Sequence, residues 1–170
     1  MHSVTINPAL PVSRSDIGRN IVLNVKVIDS RPSNLISNWK GKLNFRSFRI
    51  APDEDLTAVL QNKIENGLQN LGFVPKRNPV KQTPALTVEI LRLKSVYHKK
   101  SPNLGLKVES VLRARCQNIN QTYKMDYKER LTRNPIIPTS FPNETLVNAS
   151  LSGSLKKMFS DKQLLHCLAR

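Results

Sequence analysis

Catalytic signatures are the first thing missing from this chain of 170 residues. It has no GxSxG elbow, no HExxH pair and no DxDxDG loop, and its 6 glycines form no run that could cradle a phosphate. Histidine and cysteine are almost as scarce. His2, His98 and His166 are scattered without ligand spacing, and Cys116 and Cys167 form no CxxC or Cys/His cluster, which argues against a zinc site. No apolar run approaches the ~20 residues that a membrane-spanning helix requires. Aromatics make up only 5% of the chain, which together with 11 prolines suggests substantial irregular connections. Acidic residues are short as well, 12 against 27 Lys plus Arg, giving a net charge of +15 and a pI near 10.3. Such a balance favours polyanions as partners, whether nucleic acid, anionic lipid or acidic glycan, and carries no information about fold.

What is present is enough apolar material, 39%, for one domain with a real core. The clearest element is Asp53 to Phe73, in which Leu56, Val59, Leu60, Ile64, Gly67, Leu68 and Leu71 recur at helical steps and form one stripe. Asp53, Glu54 and Asp55 could be imagined as a metal or acid/base site, but the start of a helix explains them better, because its partial positive charge favours carboxylates. Gly72 suits a left-handed cap at the other end, and Pro52 and Pro75 bound the segment. The opposite face carries Thr57, Gln61, Asn62, Glu65 and Asn66, with nothing catalytic among them.

Residues 1–18 are polar, contain Pro8 and Pro11, and read as an extended N-terminal arm without the apolar core of a signal peptide. Asn20 to Asp29 alternates Ile21, Leu23, Val25 and Val27 against Asn24 and Lys26, the pattern of a strand. Asn34 to Ala51 resembles a weaker hairpin with a turn at Trp39-Lys40-Gly41. Three longer strands follow. Ala85 to His98 changes phase after Ile90, as a β-bulge would require. Leu104 to Gln117 separates Leu106, Val108, Ser110, Leu112, Ala114 and Cys116 from Lys107, Glu109, Arg113 and Arg115. Gln121 to Leu131 separates Tyr123, Met125 and Tyr127 from Lys124, Asp126, Lys128 and Arg130. Connections at Ser101-Pro102-Asn103 and Asn118-Ile119-Asn120 are short enough to make an antiparallel meander. After a proline-rich break, Asn143 is placed to cap a helix with Val147, Leu151, Leu155, Met158 and Phe159 inward, and Ser160-Asp161 to start a short terminal helix. One-sided strands and helices predict an α+β fold, an antiparallel or mixed sheet of about four to five strands with two main helices packed on one face. This two-layer sandwich would occupy residues 19–170 as a single domain.

The charge concentrates on the sheet. Lys107, Arg113, Arg115, Lys124, Lys128 and Arg130 are expected to point away from the helices as an anion-binding face. The bland alternative is a solvated outer surface. A nucleic-acid-binding module using this face is the competing functional class, weakened because Tyr123 and Tyr127 fall on the opposite side from the lysines. No cofactor is implied. Cys116 and Cys167 fit either two buried thiols or one disulfide, the thiols being favoured while the compartment is unspecified.

The order HSVTINPALPV, a strand ending in Asp29-Ser30-Arg31, IAPDEDLTAVLQNKIENGLQNLGFV and ALTVEILRLKSVY resembles the YajG family of bacterial lipoproteins. The likeness runs from about Val4 to the C-terminal Leu164-Leu165 helix and includes no catalytic motif. It implies a non-enzymatic protein of the periplasm, anchored to the outer membrane by a lipid-modified cysteine preceding this stretch. It also makes a Cys116–Cys167 disulfide more plausible than the residues alone do and turns the partners toward anionic lipid, lipopolysaccharide or another polyanion, with nucleic acid disfavoured. The strong positive charge is not something the resemblance accounts for.

Overall fold

The computed structural model describes residues 2–10, 12–40, 47–99, 104–133 and 141–170. In chain order the elements are β1 (His2–Val4), β2 (Val22–Asp29), β3 (Ser37–Lys40), β4 (Ser47–Pro52), α1 (Leu56–Asn70), β5 (Val74–Lys76), β6 (Ala85–Lys99), β7 (Leu104–Gln117), β8 (Thr122–Arg133), α2 (Phe141–Phe159) and α3 (Lys162–Leu168). Five strands form a mixed sheet in the order β5-β2-β6-β7-β8, and β1-β4-β3 form a smaller one. β2 runs parallel to β5 and β6, whereas β6, β7 and β8 are the expected antiparallel meander. The helices pack on one side of the large sheet, so the α+β sandwich is the observed architecture. The turn expected around Gly41, the connection Ser101-Pro102-Asn103, most of the proline-rich break and the side chain of His98 lie outside the described residues.

Alternation decides which side of each strand is buried. Leu106, Val108, Ser110, Leu112, Ala114 and Cys116 of β7 are all fully buried under the helices. They meet Leu86, Val88 and Ile90 of β6, and after the register shift between Ile90 and Arg92 the inward positions become Leu93, Ser95 and Tyr97. Leu91 is the extra residue of that bulge. From the helix layer come Leu60, Ile64 and Leu68 of α1 with Val147, Leu151, Leu155 and Met158 of α2, each almost without exposed surface. Burying one such side chain contributes roughly 1.5–3 kcal/mol, so this double layer dominates the stability. Met125 shares the inward face of β8 but remains 46% exposed, because β8 is the edge strand.

Three local expectations change. Of the acidic trio, only Asp55 caps α1, accepting from the Thr57 amide at 2.9 Å; Asp53 instead accepts from the Thr5 hydroxyl at 2.6 Å and ties down the N-terminal segment. That segment is more than a polar extension, since Val4 and Ile6 are buried and β1 pairs with β4. Asn143 lies inside α2, which begins at Phe141; Pro142 fits its first turn, where a missing N–H costs nothing. Gln61, on the face of α1 opposite the buried stripe, also turns inward. Its Oε1 accepts from Val27 N at 2.9 Å and its Nε2 donates to Val25 O at 3.1 Å, satisfying the edge of β2 beyond the end of β5.

Candidate functional site

The six cations predicted for the outer sheet face all reach it. In the β7–β8 register Arg115 stands opposite Lys124, Arg113 opposite Asp126, and Glu109 opposite Arg130. Proximity on one pleated face lets opposite charges pair, and most of these do. Arg113 donates two bonds to Asp126, at 2.7 and 2.9 Å, and Arg115 stands 3.9 Å from Glu89. Glu109 is the hub. It accepts from Arg92 at 2.8 Å and from Arg130 at 2.6 and 2.9 Å, with the Lys128 ammonium 3.3 Å away. Its side chain is only 8% exposed because the stems of these cations cover it. Burial pushes the Glu109 carboxyl up, but the bonds from Arg130, Arg92 and Lys128 overcome this and hold it at about 2. Lys107 and Lys124 have no acid within ion-pair reach among the described residues. The face is thus a mesh of pairs with excess positive charge, and its cations are largely committed to one another's neighbours.

Tyr123 and Tyr127 lie on the helix side. Their hydroxyls both donate to Asp161 Oδ2, at 2.8 and 2.6 Å, while Asp161 Oδ1 caps α3 by accepting from Gln163 N and Leu164 N. Burial and the Asp161 charge raise both phenols, so they stay neutral donors. They brace α3 against β8 from the helix side, away from the cations of the outer face, and Tyr127 is buried. Beneath α2, Ser110, Ser150 and Ser154 form a buried hydroxyl cluster with separations of 2.7–2.8 Å. These hydroxyls bond to one another and to backbone carbonyls: Ser110 Oγ donates to Ser150 O at 2.8 Å, and Ser150 Oγ to Glu129 O at 3.3 Å. Among the described residues no group of three His, Cys, Asp or Glu could hold a metal ion.

Cys116, at the end of β7, and Cys167, in α3, are joined in a disulfide with their Cα atoms 6.3 Å apart, and both are fully buried. Asn118 donates to Cys167 O at 2.7 Å beside it.

One feature had no signal in composition or periodicity. At the end of β2, Arg31 turns back on Asp29, donating from Nε at 2.9 Å and from Nη2 at 2.7 Å, with its own amide at 3.1 Å. Burial raises the Asp29 carboxyl, but the Arg31 bonds and charge outweigh this and hold it below the usual range. The Arg31 side chain is only 4% exposed, and its buried Nη1 has no hydrogen-bond partner. Leaving such a donor unsatisfied costs roughly 1–3 kcal/mol or more for a charged group. Arg31 lines a cavity of about 370 Å³ with Pro32, Ser33, Leu35, Ile36, Ser37, Asn38 and Leu91 to Lys94.

The same fold occurs in solved structures. A Xanthomonas campestris protein of the DUF330 family aligns with a TM-score of 0.52 at 16% identity, covering 99% of this chain and 92% of that one. A putative neuraminyllactose-binding hemagglutinin homolog from Helicobacter pylori aligns with a TM-score of 0.51 at 8% identity, covering 96% of each chain. A minor lipoprotein of Acinetobacter baumannii is more distant, with a TM-score of 0.41 at 5% identity over 88% of this chain and 91% of that one. No curated protein matches the chain. A family model described as uncharacterized lipoprotein matches residues 8–169, nearly the whole domain. The chain therefore belongs to the YajG family of uncharacterized lipoproteins.

Proposed function

We propose that this protein is a non-enzymatic domain of the bacterial cell envelope, lipid-anchored in the periplasm to the outer membrane and serving as a binding or assembly accessory domain. The observation that carries the reading is the Cys116–Cys167 disulfide within a lipoprotein-family chain. Such bonds persist in oxidising compartments and are rare where thioredoxin and glutathione keep thiols reduced. The outer sheet face supports a location beside anionic lipid or lipopolysaccharide, because its excess cations would meet phosphates there. A cytoplasmic nucleic-acid module is less well supported, since Tyr123 and Tyr127 lie on the helix side of the sheet, away from its outer cations, and Tyr127 is buried.

The test is to express the native gene in its own host, extract the membrane fraction and measure the N-terminal peptide by mass spectrometry. A diacylglyceryl-modified cysteine ahead of the arm is the expected result. An unmodified product recovered from the cytosol would overturn the proposal.

A further inference from the structure

We infer that the cavity beside Arg31 is a binding site for a monoanionic oxyanion, a carboxylate or a phosphodiester, borne on a small, partly apolar molecule. The site arises where two strands separate. β2 follows β6 as far as Asp29 opposite Ile90, and Ser30 N still donates to Ile90 O at 3.1 Å. The bulge then redirects β6, and contact resumes only where Ser95 N donates to Ile36 O at 2.8 Å. Between these two bonds the segment 31–35 arches away from Leu91 to Lys94, and the cavity occupies the gap. Backbone groups of strand residues two apart share an edge, so the Leu93 N–H faces the same gap as that of Ser95.

The guanidinium has two forks, and only one is used. Nε and Nη2 hold Asp29, while Nη1 is buried without a partner. A second acceptor with two oxygens matches the remaining Nη1–Nη2 edge, the geometry that makes arginine selective for carboxylates and phosphates. Charge sets the valence. Asp29 already neutralises Arg31, and Arg92 is committed to Glu109, whereas Lys94 has no described acid within ion-pair reach. One added negative charge is balanced by Lys94; a second would not be. Leu35, Leu91 and Leu93 supply an apolar wall, and about 370 Å³ is near the small end of ligand cavities. Nη1 is shielded from solvent, so a ligand reaches it only when the groups that cover it shift.

This names a ligand class for the binding role proposed above but stands on the folded chain alone, so its failure would leave the anchoring proposal untouched. The full chain, labelled with ¹⁵N, is titrated separately with hexanoate, with dihexanoyl phosphatidylglycerol below its micelle-forming concentration, and with sulfate. Saturable shifts of the Arg31 side-chain Nε–H and of the Ser33, Leu35 and Leu93 amides are expected with at least one of the first two, and which one responds identifies the carboxylate or the phosphodiester as the ligand group. Lys94→Gln, at an exposed position, should weaken that binding about threefold, as loss of a partly exposed charge partner does. Leu35→Trp, filling the cavity from its loop, should abolish it. No localised saturable shift would overturn the inference, as would equal shifts with sulfate or affinities unchanged in both variants.

Discussion

Glu109 shows how one residue can change the meaning of a charged surface. On sequence alone it is one acid among many cations, yet its buried position draws Arg92, Lys128 and Arg130 inward. Its folded carboxyl sits at about 2, below the ordinary 4.5, so its contribution to stability is complete above the unfolded value and is lost as pH falls through the folded one. The shift bounds that contribution at roughly 3 kcal/mol, and screening of the half-exposed cations reduces it. Glu109→Gln should therefore be less stable than wild type at pH 7, with the gap closing between pH 4.5 and pH 2. Denaturant melts of both proteins across that range check this. A gap that stays constant with pH would assign the loss to packing. Arg31 makes a related point, because nothing in the pattern Asp29-Ser30-Arg31 says that its side chain is buried. That depends on the bulge beyond Ile90, a feature of another strand.

Elements with a strong period were readable, and turn and cap residues also revealed the irregular β3–β4 hairpin and the short α3, but the three-residue strands gave no signal. Fourteen residues of alternation in β7 and the helical stripe of α1 specify both type and face. β1 and β5, three residues each, have no period to detect, and the parallel docking of β2 between β5 and β6 depends on tertiary contacts. The inward turn of Gln61 was invisible for the same reason: it answers the unpaired edge of a strand 34 residues away. Gly67 of α1 was correctly placed in the buried stripe, and the Phe159 side chain at the end of α2 packs directly onto it. A Cβ there would lie 2.5 Å from the Phe159 ring. Gly67→Ala should cost about 1–3 kcal/mol through overpacking, measured by thermal unfolding. The disulfide closes a span of 51 residues and pins α3 to β7. Loop-closure entropy assigns it about 4 kcal/mol, so Cys167→Ala should unfold at markedly lower denaturant, with amide exchange rising first in α3. Unchanged exchange in α3 would mean that Asp161 and the buried leucines hold the helix alone.

At the scale of the molecule, the net charge of +15 remains after the ion pairs are drawn. Lys107 and Lys124, unpaired among the described residues, are where it can be changed without breaking the mesh. Lys107→Glu with Lys124→Glu should leave the fold intact and reduce sedimentation with vesicles containing anionic phospholipid, the difference shrinking as salt rises. Equal sedimentation of the two proteins would remove this face from membrane contact. The proposal of an oxidising envelope compartment rests on the family and the disulfide, and the state of the two cysteines in living cells tests it most directly. Cells expressing the native gene are quenched in acid, and the protein is denatured and treated with a maleimide that adds mass to each free thiol. Peptides carrying Cys116 and Cys167 should appear unmodified and linked; maleimide on both would mean that the protein folds in a reducing compartment, contradicting the envelope assignment.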